Sequence, residues 1–282
     1  MTPERPLPPL TTVLPVGVHA WTRLDGAEAF PAEGAIVEEV PVAFVYGART
    51  HVVMMTTPAD LEDLAVGFSV TEGIVANAAE ISAVAIERHA AGIELRIGVP
   101  ASVAESLATR ARAIPARTGC GLCGVEAIAD AVRAPRVVTS TLVVDPSAVY
   151  AAVRALGARQ ELNRDAHALH AAAFARANGE IVVVREDVGR HNALDKVIGA
   201  LLRAGEDPAQ GMLVVTSRAS VEMVQKAAAA GVPVLAAVSR PTALAIRMAE
   251  ASQMALLGLV RGETANLYAG AQRVRVGLVS HS

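Results

Sequence analysis

The chain has 282 residues, 52 % hydrophobic and 19 % charged, which is ample for a buried core and excludes a disordered chain. With 25 Lys and Arg against 28 Asp and Glu, the net charge is −3, so no global positive field draws in nucleic acid or an anionic membrane. One Trp, three Tyr and four Phe leave little for stacking on bases, and the core must be built from Ala, Val, Leu and Ile.

Residues 1–20 are rich in Pro and lack an unbroken apolar signal-peptide segment, so an extended arm and a cytoplasmic protein are expected. Gly34–Met55 predicts strands around a Tyr46-Gly-Ala48 turn. Thr57-Pro-Ala-Asp60 predicts a helix start, with Thr57 as N-cap and Pro58 at the first helical position. Strands are expected near Ile81–Glu87 and Ile93–Val99, then a helix over Ala101–Ile114 leading into a glycine-rich loop that ends at Gly124.

The second half alternates more regularly. A helix opens at Asp145-Pro-Ser147 and runs towards Glu161, and a strand at Ile181–Val184 follows an Asn178-Gly179 turn. Asn192–Arg203 reads as a helix capped by Asn192. Met212–Thr216 and Val234–Val238 read as strands, Val221–Ala230 and Pro241–Leu257 as helices, and Gln272–Val279 as a strand able to return to the first sheet. Strands alternating with helices imply an α/β protein with a mixed or parallel sheet, whose sites gather where strands end and helices begin. The longest apolar run, Ala227 to Val238, has 12 residues interrupted by Gly231 and Pro233, against about 20 for a membrane span.

Chemistry concentrates at three places. Cys120-Gly-Leu-Cys123 puts two thiols three positions apart among Gly119, Gly121 and Gly124, downstream of Arg110, Arg112 and Arg117. Cationic neighbours lower a thiol pKa and supply the thiolate. The pair reads as half a zinc site, a dithiol–disulfide centre or a sulfur-relay nucleophile. A second CxxC is absent, and so is the His-x-Glu with Pro-Cys-x-x-Cys of zinc deaminases, which disfavours zinc although His167 and His170 are candidates to complete a site. The second place is Arg185–Lys196, where Asp187, Arg190, His191 and Lys196 fall at a strand end and helix start suited to an anion. The third is Thr216–Ser220, where Ser217 and Arg218 follow a strand. Plain salt-bridging and N-capping by Ser220 are the bland readings of these two. Leu259–Thr264 adds an Arg261-Gly262 turn.

Together these pieces resemble the FdhD/NarQ family of sulfur carrier proteins required for formate dehydrogenase activity. The resemblance is carried by Arg117-Thr-Gly-Cys-Gly-Leu-Cys-Gly124, His170-Ala-Ala-Ala173, Glu186-Asp-Val-Gly-Arg-His-Asn-Ala-Leu-Asp-Lys196, Ser217-Arg-Ala-Ser220 and Gly231–Ser239, in order from about Glu39 to Tyr268. Asp165-Ala-His167 departs from the Thr-Gly usual before the His-Ala-Ala-Ala motif.

The resemblance implies a cytidine deaminase-like α/β fold, a mixed sheet covered by helices beside a smaller N-terminal β-rich subdomain. The expected division is an arm over 1–33, an N-terminal subdomain over 34–140 and a second subdomain over 141–282. It implies that a cysteine desulfurase passes sulfur to Cys120 as a persulfide, with Cys123 as a possible helper. The sulfur then goes to the molybdenum or tungsten of a bis(molybdopterin guanine dinucleotide) cofactor serving apo-formate dehydrogenase. Leu259, Val260, Arg261, Gly262, Glu263 and Thr264 match the family's cofactor-binding stretch, and Asp187, Arg190, His191, Lys196, Ser217 and Arg218 are weaker contact candidates. A homodimer without zinc, nucleic acid or membrane is expected. A non-catalytic chaperone of the cofactor is the alternative, and a redox enzyme a distant third.

Overall fold

The structure is a computed structural model and describes residues 9–112 and 134–277. The described residues form a mixed α/β protein with three sheets. Val16–Asp25 (β1) and Glu28–Val37 (β2) pair antiparallel as a ribbon around a Gly26 turn. A four-stranded sheet has the order β4-β3-β6-β5, from Val40–Tyr46 (β3), Arg49–Thr56 (β4), Ala83–His89 (β5) and Gly92–Gly98 (β6). Leu61–Thr71 (α1) packs on it, with Phe44 and Phe68 rings 4.5 Å apart, and Ala101–Arg112 (α2) follows β6.

The six-stranded sheet has the order β12-β11-β10-β9-β7-β8. Its strands are His170–Arg176 (β7), Ile181–Asp187 (β8), Gly211–Val215 (β9), Val234–Ala237 (β10), Ala255–Arg261 (β11) and Thr264–Ala269 (β12). β9, β10 and β11 are parallel, as crossovers through helices require, and β7, β8 and β12 are antiparallel additions. Strand alternation sends Ala172, Phe174, Leu213, Val215, Leu235 and Leu256 into one core under Arg190–Ala204 (α5), Val221–Ala229 (α6) and Ala243–Ala251 (α7). Ala171, Ala173, Met212, Val214, Ala236 and Leu257 face the other core, under Pro146–Ala158 (α3). A short helix, Asn163–Ala166 (α4), precedes β7.

α1 lies between the two larger sheets, and every residue but Glu62 is buried. It crosses α5 at a glycine pair: a Cβ on Gly67 would lie 1.8 Å from the Asp195 carbonyl oxygen, and one on Gly199 1.8 Å from that of Asp63. Only glycines allow the two backbones to meet so closely.

Several local expectations are corrected. α1 starts at Leu61 with Asp60 as N-cap, because the backbone and hydroxyl of Thr57 are engaged by the neighbouring unit. α5 is capped by Gly189, and Asn192 sits inside the first turn with its amide donating to Asp187 and to the Met55 carbonyl. The helix expected to reach Leu257 ends at Ala251. Gln253 takes φ 55°, and Ala255–Arg261 becomes a strand, an outcome that a continuous apolar run cannot distinguish from a helix. The last segment stays with the six-stranded unit: Val274 bridges to Val144, and the buried Arg273 donates to the Val138, Ser140 and Gln253 carbonyls.

Candidate functional site at the edge of the six-stranded sheet

The topology brings three sequence-distant clusters to one edge. β8, β9, β10 and β11 all end there, while β7 and β12 begin there. His170 pairs with Asp187, Thr216 N donates to the Ala171 carbonyl, Val238 N to that of Val215 and Leu259 N to that of Ser239. The C-terminal edge of parallel strands is where α/β proteins bind ligands, because helix N-termini open beside it.

Asp187 is the inner anchor. It is fully buried and accepts from Thr56 Oγ1, from Thr57 N at 3.1 Å, from Gly189 N at 2.8 Å and from Asn192 Nδ2 at 3.0 Å. Lys196 Nζ completes the network at 2.7 Å from Asp187 and donates to the Thr57 and Glu186 carbonyls. Neither side chain reaches the surface, so both shape the turn from inside and make no ligand contact in this conformation. Thr56 and Thr57 belong to this anchor as well. Thr57 was read as a helix cap, because nothing local marks a partner 131 residues away.

Arg190 and His191 begin α5 and are half-buried. Arg190 Nε is buried and has no hydrogen-bond partner among the described residues. His191 Nε2 lies 3.0 Å from Glu222, in the first turn of α6, and Ser220 Oγ donates to the same carboxylate at 2.9 Å. The hydrogen bond with His191, joined by that from Ser220, holds Glu222 well down, at about 2. Burial, with Arg190 and His191 close by, lowers the His170 pKa. Two helix N-termini thus meet beside two guanidinium groups, since Arg218 is exposed at the entry to α6. Ser217 is turned inward and donates to the Arg218 carbonyl.

The third cluster ends β11. Leu259 adopts φ 53° and Gly262 φ 57°, which reverses the chain into β12 with Arg261 paired to Thr264. Val260 is 1 % exposed and belongs to the core, whereas Arg261, Gly262, Glu263 and Thr264 are exposed. Four strand spacings separate β8 from β11, about 19 Å at ~4.8 Å each. That span suits an extended anionic ligand better than a single small anion. Cys120 and Cys123 lie outside the described residues.

A family model for the FdhD/NarQ family matches residues 37–275. The chain belongs to the FdhD/NarQ family. A sulfur carrier protein FdhD of Bordetella petrii is 49 % identical over 241 residues, covering 86 % of this chain and 87 % of its own. One from Xanthomonas euvesicatoria is 47 % identical over 261 residues, 93 % of each chain, and one from Cupriavidus necator 46 % over 258 residues, 92 % and 88 %. In fold, the chain resembles a Desulfotalea psychrophila protein assigned as a formate dehydrogenase accessory protein. The TM-score is 0.71 at 21 % identity, covering 92 % of this chain and 99 % of that one. The mixed sheet covered by helices is thus the fold of this FdhD/NarQ chain. Among its described residues, no helix is long and apolar enough to cross a membrane.

Proposed function

We propose that this FdhD/NarQ protein is a sulfur carrier that takes sulfane sulfur from a cysteine desulfurase on Cys120 and delivers it to a bis(molybdopterin guanine dinucleotide) cofactor destined for formate dehydrogenase. The observation that carries the reading is the sheet edge: Arg190, Arg218 and the Arg261–Thr264 turn offer cationic and backbone groups along a span that suits a dinucleotide. It is supported by relatives at 46–49 % identity that are named sulfur carrier proteins. The Cys120 thiolate attacks the terminal sulfur of a desulfurase persulfide. The S–S bond to the desulfurase breaks, its cysteine leaves as thiolate, and Cys120 becomes the persulfide. Cys123 is placed three positions away to attack the inner sulfur of Cys120 and release sulfide, leaving a disulfide that an external dithiol reduces. The cofactor is the substrate, the apo-enzyme its destination, and a second copy of this chain the partner.

Arg190 and Arg218 would hold phosphate by charge-assisted hydrogen bonds worth about 1.5–3 kcal/mol each. Calorimetric titration with GDP, a stand-in for the guanine nucleotide end, tests the site. Arg190→Ala and Arg218→Ala are each expected to weaken binding about 10- to 100-fold. Unchanged affinity in both variants would remove phosphate binding from this edge. The same edge also serves a chaperone that holds the cofactor without carrying sulfur, and that reading predicts that Cys120→Ala still activates formate dehydrogenase.

A further inference from the structure

The hydrogen bond between His191 and Glu222 joins the first turns of α5 and α6 across the sheet edge. Glu222 Oε2 lies 3.0 Å from His191 Nε2 and 2.9 Å from the Ser220 hydroxyl, so one oxygen serves two donors. Held at about 2, the group is a carboxylate, which can only accept. The proton of the pair is therefore on Nε2, and Nδ1 is left as the ring atom able to gain one. Nδ1 makes no hydrogen bond among the described residues, and the side chain is 33 % exposed.

The charges around the ring are few. Arg190 precedes it on α5, His170 and Asp187 stand at the facing ends of β7 and β8, and Asp187 is already paired with Lys196. A carboxylate where two helix N-termini meet repels an anion, so by charge alone Glu222 weakens a phosphate site at this edge. Its hold on His191 offsets that cost, because a carboxylate on one ring nitrogen fixes the tautomer and favours protonation of the other. We infer that Glu222 is a positioning residue that presents His191 Nδ1 to the phosphates as a third donor beside Arg190 and Arg218. Anion binding then brings one proton from solvent onto Nδ1, and the imidazolium lies between the phosphate and Glu222. No bond between heavy atoms forms or breaks.

This rests on the phosphate-binding reading of the edge proposed above. The test is calorimetric titration of the full chain with GDP at about pH 8, beside long-range proton–nitrogen spectra of the histidine rings, for the wild type, Glu222→Gln and His191→Ala. The ring signals of His191 are those that His191→Ala lacks, and far-UV circular dichroism checks that both variants fold. In the wild type, His191 is expected as the single tautomer protonated at Nε2, with the Nδ1 signal moving towards that of a protonated nitrogen when GDP is added. A glutamine can accept from Nε2–H or donate to Nε2, so Glu222→Gln is expected to show both tautomers. It is also expected to bind GDP about 3- to 10-fold more weakly, and His191→Ala at least as weakly. A folded Glu222→Gln that binds GDP as well as the wild type or tighter, or an Nδ1 signal that GDP does not move, overturns the positioning role and leaves the phosphate site standing. A wild type that does not bind GDP overturns both.

Discussion

Glu222 shows how single side chains tie the sheet edge together. It accepts from Ser220 on its own helix and pairs with His191 on α5, and those bonds hold it at about 2, below its ordinary 4.5. A carboxylate depressed on folding contributes stability that is fully present above about pH 4.5 and is lost as pH falls through about 2. Its side chain is 25 % exposed, so the contribution is discounted to about 1 kcal/mol, or about 2–4 °C in melting temperature. Glu222→Gln is therefore expected to melt about 2–4 °C below the wild type at pH 6, with the gap narrowing as the pH is lowered through 3. A gap that stays constant across that range would show that the bond pattern, not the charge, matters. The sequence placed Arg190, His191 and Arg218 correctly at strand ends, because glycine and polar residues mark a strand-to-helix junction locally. It missed the burial of Asp187 and Lys196, since the partners that enclose them, Thr56 and Thr57, come from another sheet.

Among the elements, α1 and α5 decide how the two sheets sit together. Their crossing depends on Gly67 and Gly199, and it is reinforced by Arg203 with Glu62 and Asp63 and by Arg185 with Asp60 and Asp63. A second tie is Lys226 of α6, buried 2.8 Å from Asp195 and 2.7 Å from Glu72, with its ammonium 5.4 Å from the Phe68 ring centre. Burial pushes the Asp195 carboxyl up, and Lys226 opposes that push. Gly199→Ala drives a methyl into the Asp63 carbonyl, so a loss above about 3 kcal/mol is expected, beyond ordinary overpacking. Gly157→Ala on α3 meets no atom within 4 Å and is expected to be neutral or to gain up to about 1 kcal/mol. Urea unfolding of the two variants checks this, and equal stabilities would contradict the close crossing. Helices and strands punctuated by Gly, Pro and Asp were legible in the sequence, as at Pro146 and Gly179. β11 was not, because an apolar run buried on both faces carries no period.

For the whole molecule, the order of the strands and the edge where the three clusters gather follow from connectivity. β8, β9, β10 and β11 all end at one edge, so clusters distant in sequence finish on the same side of the sheet, four strand spacings apart at most. Fold class and family were readable because the Glu186–Lys196 and Cys120–Cys123 motifs are dense and ordered. The ribbon at β1–β2 was read only as an arm, since its Pro-rich lead and weak alternation give little sign of pairing. The proposal that Cys120 carries sulfur is tested most directly by the intact mass of the protein after incubation with a cysteine desulfurase and cysteine. A gain of about one sulfur atom is expected on the wild type, reversed by a thiol reductant and absent from Cys120→Ala. A wild type that gains nothing beside an active desulfurase, or a Cys120→Ala variant that gains the same mass, would contradict it.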